Sequence, residues 1–70
     1  MKDWSTVYKT PMISRASIVK GILAEKGIEA VIMNKKDSTL HLDHGQLEVL
    51  VPCEVVLRAI KIINDEIAFR

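Results

Sequence analysis

The densest cluster of polar side chains in the sequence is Asn34-Lys35-Lys36-Asp37-Ser38. Two ammonium groups, an amide and a hydroxyl held this close could receive a phosphate or a carboxylate. The block lacks the glycines that let backbone amides wrap a phosphate. Asn, Asp and Ser are equally the residues of a solvated turn, since their side chains bond to nearby backbone groups. A second set, His41, His44 and Cys53 with Asp43 beside them, offers imidazole and thiolate, the groups that transition metals take. Its spacing matches no zinc signature, and no metal or other cofactor is expected. Cys53 reads as a small apolar residue near the start of a helix, where an exposed thiol would be mildly reactive. A Cys–His nucleophile would need a third, orienting group, and none is visible. The carboxylates Glu25, Glu29, Asp37, Asp43, Glu48, Glu54, Asp65 and Glu66 are scattered, with no pair at a spacing that compels shared acid–base work. The residues therefore predict a protein that is not an enzyme.

The elements that position these groups can be read from periodicity and punctuation. Trp4 to Thr10 is rich in β-branched and aromatic types, sets Trp4, Thr6 and Tyr8 against Ser5, Val7 and Lys9, and predicts a strand ended by Pro11. Ala16, Val19, Ile22 and Leu23 recur at helical spacing, with Ser14 or Pro11 marking the entry and Ile13 as a candidate staple. Gly27 falls where a glycine stops a helix in the left-handed conformation. Gly21 interrupts that helix at about 1 kcal/mol relative to alanine, which predicts close packing against it. Glu29 to Asn34 is a second strand, apolar on both faces over Ala30 to Met33, and so expected to be central or doubly covered. A turn at Asp43-His44-Gly45 leads to a third strand from Gln46 to Val51, and Pro52 opens a last helix from about Cys53 to near the C-terminus.

That last helix carries more apolar surface than one sheet requires. Val56, Ala59, Ile60, Ile63 and Ile67 form one stripe, while Val55, Leu57, Ile62 and Phe69 lie outside it. Glu54 and Arg58 make a favourable pair one turn apart. Burying a further Leu or Ile is worth about 1.5–3 kcal/mol, so the surplus predicts a homodimer with Val55, Leu57, Ile62 and Phe69 at its interface.

The order strand, helix, strand, strand, helix predicts a compact α+β sandwich, one domain over residues 1–70, with both helices on one face of a mostly antiparallel three-stranded sheet. Composition narrows the function classes. The 70 residues are 49% hydrophobic, which is ample for a core, and the net charge of +1 gives no field for nucleic acid or an anionic membrane. Lys9, Arg15, Lys20, Lys35 and Lys36 supply some positive charge, but only Trp4, Tyr8 and Phe69 are aromatic, which is sparse for a base-stacking surface. One cysteine allows no intrachain disulfide. No signal peptide or membrane span is visible, so the expected location is the cytoplasm.

Several of these features together resemble a known family: the aromatic-containing first strand, the helix running Ala16-Ser17-Ile18-Val19-Lys20-Gly21-Ile22-Leu23-Ala24-Glu25-Lys26-Gly27-Ile28, the block from Asn34 to Ser38, and the close at Gly45, Glu48 and Val51-Pro52. The chain resembles, over nearly its whole length, the small bacterial domain of unknown function described as a "putative prokaryotic signal-transducing protein". The resemblance implies a ferredoxin-like, GlnB-like arrangement lacking its last strand, and a role in signalling. It implies that the Asn34–Ser38 block contacts something, with Lys20 and Gly21 as neighbours of that contact. The expected function is a regulatory, signal-transducing or protein-interaction module, a homo-oligomer that presents this block to a protein or a small anionic ligand. The competing expectations are a nucleic-acid-binding module, or a metal- or thiol-dependent protein using His41, His44 and Cys53.

Overall fold

The computed structural model describes residues 3–35 and 46–67. Its elements run β1 (Trp4–Thr10), α1 (Ile13–Glu25), β2 (Val31–Lys35), β3 (Gln46–Pro52), a single 3-10 turn (Cys53–Val55) and α2 (Val56–Glu66). This is the expected α+β order. The sheet order is β1-β3-β2, with β3 antiparallel to both neighbours. β1 and β2 are therefore parallel to each other, joined by α1, with β3 inserted between them. The arrangement is that of a ferredoxin-like sheet without its last strand.

Both helices pack on one face of the sheet. The core between the layers is Ala16, Val19 and Leu23 of α1, Ile28 and Ala30, Val49 and Val51 of β3, and Ala59 and Ile63 of α2. Leu47, Ile32, Val7 and Tyr8 pack against it from the sheet.

The strict alternation expected of β1 is broken. Thr6 faces Leu50 and Tyr8 faces Val49, so Val7 is an extra residue, a β-bulge. A bulge sets two residues against one and shifts the phase of all that follow. Val7 and Tyr8 both turn toward the core, buried Thr10 follows them, and Lys9 stays exposed. An unbroken strand would have aimed Lys9 at the helices.

The start of α1 differs from expectation in its chemistry. Neither Ser14 nor Pro11 caps it: the helix begins after Met12 with no side-chain cap, and Ile13 is 59% exposed rather than stapled. The buried Thr10 hydroxyl accepts a hydrogen bond from the Met12 N–H at 3.1 Å. The end of α1 matches expectation. Gly27 has φ of 87°, its N–H donates to the Ala24 carbonyl, and the Ile28 N–H donates to the Leu23 carbonyl. This is the Schellman arrangement, and its accompanying apolar contact is between Leu23 and Ile28, both fully buried.

β2 is an edge strand, not the central one. It starts at Val31 and ends at Lys35, so Asn34 and Lys35 are strand residues paired with Leu47 and Gln46. Pro52 closes β3 rather than opening a helix, and the 3-10 turn intervenes before α2. That turn places Glu54 ahead of the α-helix, and the Glu54–Arg58 pair is not formed. The helical ion pair is Lys61 to Asp65 at 3.0 Å.

Candidate functional site

The predicted site residues fall in separate places. Lys20 and Gly21 lie on the exposed side of α1, and Asn34 is exposed near the end of β2. Among the described residues no hydrogen bond or ion pair joins these two places. Lys36, Asp37, Ser38, His41 and His44 lie outside the described residues. A β-carbon built on Gly21 meets nothing within 4 Å, so the expected close approach at Gly21 is absent. Its backbone freedom serves no visible contact.

Cys53 is exposed, and its Sγ lies 3.1 Å from the Ser5 hydroxyl at the join of β3 and the 3-10 turn. Among the described residues no three metal-ligating side chains come together.

The apolar surplus of α2 is smaller than its sequence suggests. Val55 and Ile62 pack against the core, Leu57 is 82% exposed, and Phe69 lies outside the described residues. Ile60, expected in the core stripe, is exposed instead. Val55, Ala59, Ile62 and Ile63, at i, i+4, i+7 and i+8, share the core-facing side, and Ile60 falls beside it. Leu57 and Ile60 remain as an exposed pair three residues apart.

Two surfaces come from the structure rather than from any motif. The first is an open groove of about 410 Å³ beside α2, lined by Lys26, Arg58, Lys61, Ile62, Asp65 and Glu66. Lys26 pairs with Glu66 at 3.4 Å and Lys61 with Asp65 at 3.0 Å. Both lysines are thus engaged by carboxylates, which leaves Arg58 as the cation with spare bonding capacity. One arginine on an exposed rim can hold an anion only weakly, because water screens it.

The second is the sheet face opposite the helices. Since Leu47, Val49 and Val51 point to the core, Gln46, Glu48, Leu50 and Pro52 point away from it. By register, Trp4, Thr6 and Lys9 of β1 and Val31 and Met33 of β2 join them there. Leu50 lies at the centre, between Thr6 and Val31, and is only 8% exposed. Met33 is 38% exposed, and Trp4 and Val31 are half-buried. The Thr6 hydroxyl donates to Glu48 Oε1 at 2.7 Å across this face. Among the described residues no helix covers it. The result is an apolar centre with a polar margin of Lys9, Glu48 and Gln46, the anatomy of a protein–protein contact surface. The sequence signal for it is the β2 run that is apolar on both faces. That run asked for a second cover, and the sheet order leaves one of its faces open.

The family model for the "putative prokaryotic signal transducing protein" matches residues 4–67, which takes in every element from β1 to the end of α2. The chain belongs to this family. No curated protein and no solved structure is similar enough to the chain to count as a match. The family description carries a signal-transducing role, and no helix among the described residues is long and apolar enough to cross a membrane.

Proposed function

We propose that this protein is a non-catalytic signalling module that acts as a homo-oligomer in the cytoplasm and binds a partner protein on its uncovered sheet face. The observation that carries the reading is the continuous apolar centre of that face, Trp4, Leu50, Val31 and Met33, on adjacent strands. Isolated exposed apolar residues such as Ile18 are ordinary on a small protein. Neighbouring ones set inside a polar margin mark interaction surfaces. The family's signal-transducing description supports a protein as the occupant.

The nucleic-acid reading is weaker on the same surface. Bases stacking on an open sheet need aromatic side chains on neighbouring strands. The bulge turns Tyr8 inward, so Trp4 is the aromatic group available there among the described residues. β3 adds Glu48 at the middle of the face, where it would repel phosphate.

A photo-crosslinking residue placed at Met33, and separately at Ile18 on the helix side, tests the proposal in bacterial cells. Adducts with one distinct protein from Met33, absent from Ile18 and lost on Val31→Asp, are expected. Adducts from Ile18 alone, or the same adducts from both positions, would overturn the reading.

A further inference from the structure

The outer edge of β1 is a strand edge whose backbone direction can be worked out. The Cys53 N–H donates to the Asp3 carbonyl at 2.8 Å, and Trp4 faces Pro52, which has no N–H. In an antiparallel ladder this makes Trp4–Pro52 a non-hydrogen-bonded pair. The N–H and C=O of Trp4 therefore point away from β3. Ser5–Val51 is the hydrogen-bonded pair that follows, and Thr6–Leu50 is again non-hydrogen-bonded. Thr6 thus also presents its N–H and C=O outward. The bulge at Val7 absorbs one residue, so Lys9, opposite Glu48, comes into the same outward phase. Trp4, Thr6 and Lys9 form a row of unmatched backbone groups, with their side chains on the uncovered face. The sheet order leaves β1 unpaired on this side among the described residues.

We infer that the occupant of this edge is β1 of a second copy of the chain, antiparallel about a two-fold axis through Thr6. The edge is complementary to itself in that register. Trp4 faces the partner copy's Lys9, both on the uncovered face, where an ammonium group meets the indole ring. Thr6 faces Thr6, and no like charges oppose each other. Three outward residues give about six backbone hydrogen bonds, two per hydrogen-bonded pair. The stretch from Trp4 to Tyr8 carries none of the usual guards of an edge, neither proline nor charge, and Lys9 is used in the pairing instead. The two sheets become one, and their uncovered faces join into a single surface. The inference rests on the reading above that the module works as a homo-oligomer, and supplies the interface that reading lacks.

The test uses the full chain, with light scattering across a concentration series. The wild type is expected at twice 7.9 kDa. Thr6→Pro removes an N–H that makes no bond within its own sheet, and proline is tolerated on that side of an edge strand. It is expected to keep the wild-type circular dichroism and weaken dimerisation at least tenfold. A second variant does not depend on proline being accommodated. In a Cys53→Ser background, Thr6→Cys places two thiols across the axis at a Cα separation of about 5.5 Å, within disulfide range. Air oxidation is expected to yield a covalent dimer from Thr6→Cys and none from Leu57→Cys. A dimer that cross-links through Leu57→Cys and not Thr6→Cys would overturn the edge pairing and leave the homo-oligomer standing, with α2 as its contact. A monomer at every concentration would overturn both.

Discussion

On the helix side of the sheet, Val49 and Val51 are fully buried; between them in sequence, Leu50 points the other way and is buried almost as deeply. The means are different. Val49 and Val51 are capped by α1 and α2 residues, Ala16, Val19, Leu23, Ala59 and Ile63 among them. Leu50 is hidden by its neighbours in the plane of the sheet, Thr6 on one side and Val31 on the other. In-plane neighbours exclude water from the flanks of a side chain but leave its tip facing out. Similar exposure therefore describes two situations, a finished core and a surface that a partner could complete at little desolvation cost. The helix side holds the fold together, and among the described residues nothing covers the other side.

The largest effect should come from truncating the finished side. Leu23 is fully buried and also anchors the Schellman contact with Ile28. Leu23→Ala is expected to cost about 2–5 kcal/mol, the range for a buried leucine that leaves a cavity. In a chain of this size that is most or all of the stability, so urea denaturation should show a largely unfolded variant. Leu50→Ala is the matched truncation on the other side. At concentrations low enough to keep the chain monomeric, its cost should sit at or below the bottom of that range. Equal costs for the two would mean that Leu50 too lies under a cover within the monomer, and the contrast between the faces would fail.

A smaller effect separates the two ends of the α1 story. Gly27 adopts φ of 87°, which an L side chain enters at a cost of about 1–2 kcal/mol. Its added β-carbon would meet nothing within 4 Å, so the cost is backbone strain alone. Gly27→Ala is expected to lower the stability by that amount. A larger loss in thermal unfolding would show that Ile28 had also been displaced from beneath the helices, and that the finished side depends on this turn.

Much of this was legible in the residues. β1 was readable to the residue because its composition and Pro11 agree, and Gly27 because only a glycine suits the left-handed turn that sends Ile28 into the core. Three features were not. The bulge at Val7 is invisible to an alternation count, although the awkward inward placement it corrects, Lys9, is written in the sequence. The edge position of β2 was hidden because an apolar run says that both faces want cover, and sheet order alone decides which face receives it. The stripe on α2 was misassigned by phase. Val55, Ala59, Ile62 and Ile63, at i, i+4, i+7 and i+8, share the buried face, and the stripe through Val56, Ala59, Ile60 and Ile63 shares only its middle, leaving Ile60 on the exposed flank. The candidate site was less legible than the fold. Of the charged block Asn34 to Ser38, Asn34 and Lys35 are the end of a strand and the rest lies outside the described residues, while the uncovered sheet face has no motif, only leftover apolar side chains.

The smallest predicted effect has the opposite sign. Gly21 sits inside α1 on its exposed side, and a methyl group there meets open space. Its φ is not positive, unlike that of Gly27, so alanine can adopt the same backbone without strain. Gly21→Ala should therefore stabilise the protein by about 0.5–1 kcal/mol, through helix propensity and a less flexible unfolded chain. For a domain of this length each kcal/mol moves the melting temperature by about 4–8 °C. A rise of that order in a thermal scan would confirm that the outer side of α1 has no structural need for glycine. A fall would mean that something approaches α1 closely at Gly21 in solution. The outer side of the helix layer would then be a contact surface as well, and the sheet face would lose its claim to be the open side of the molecule.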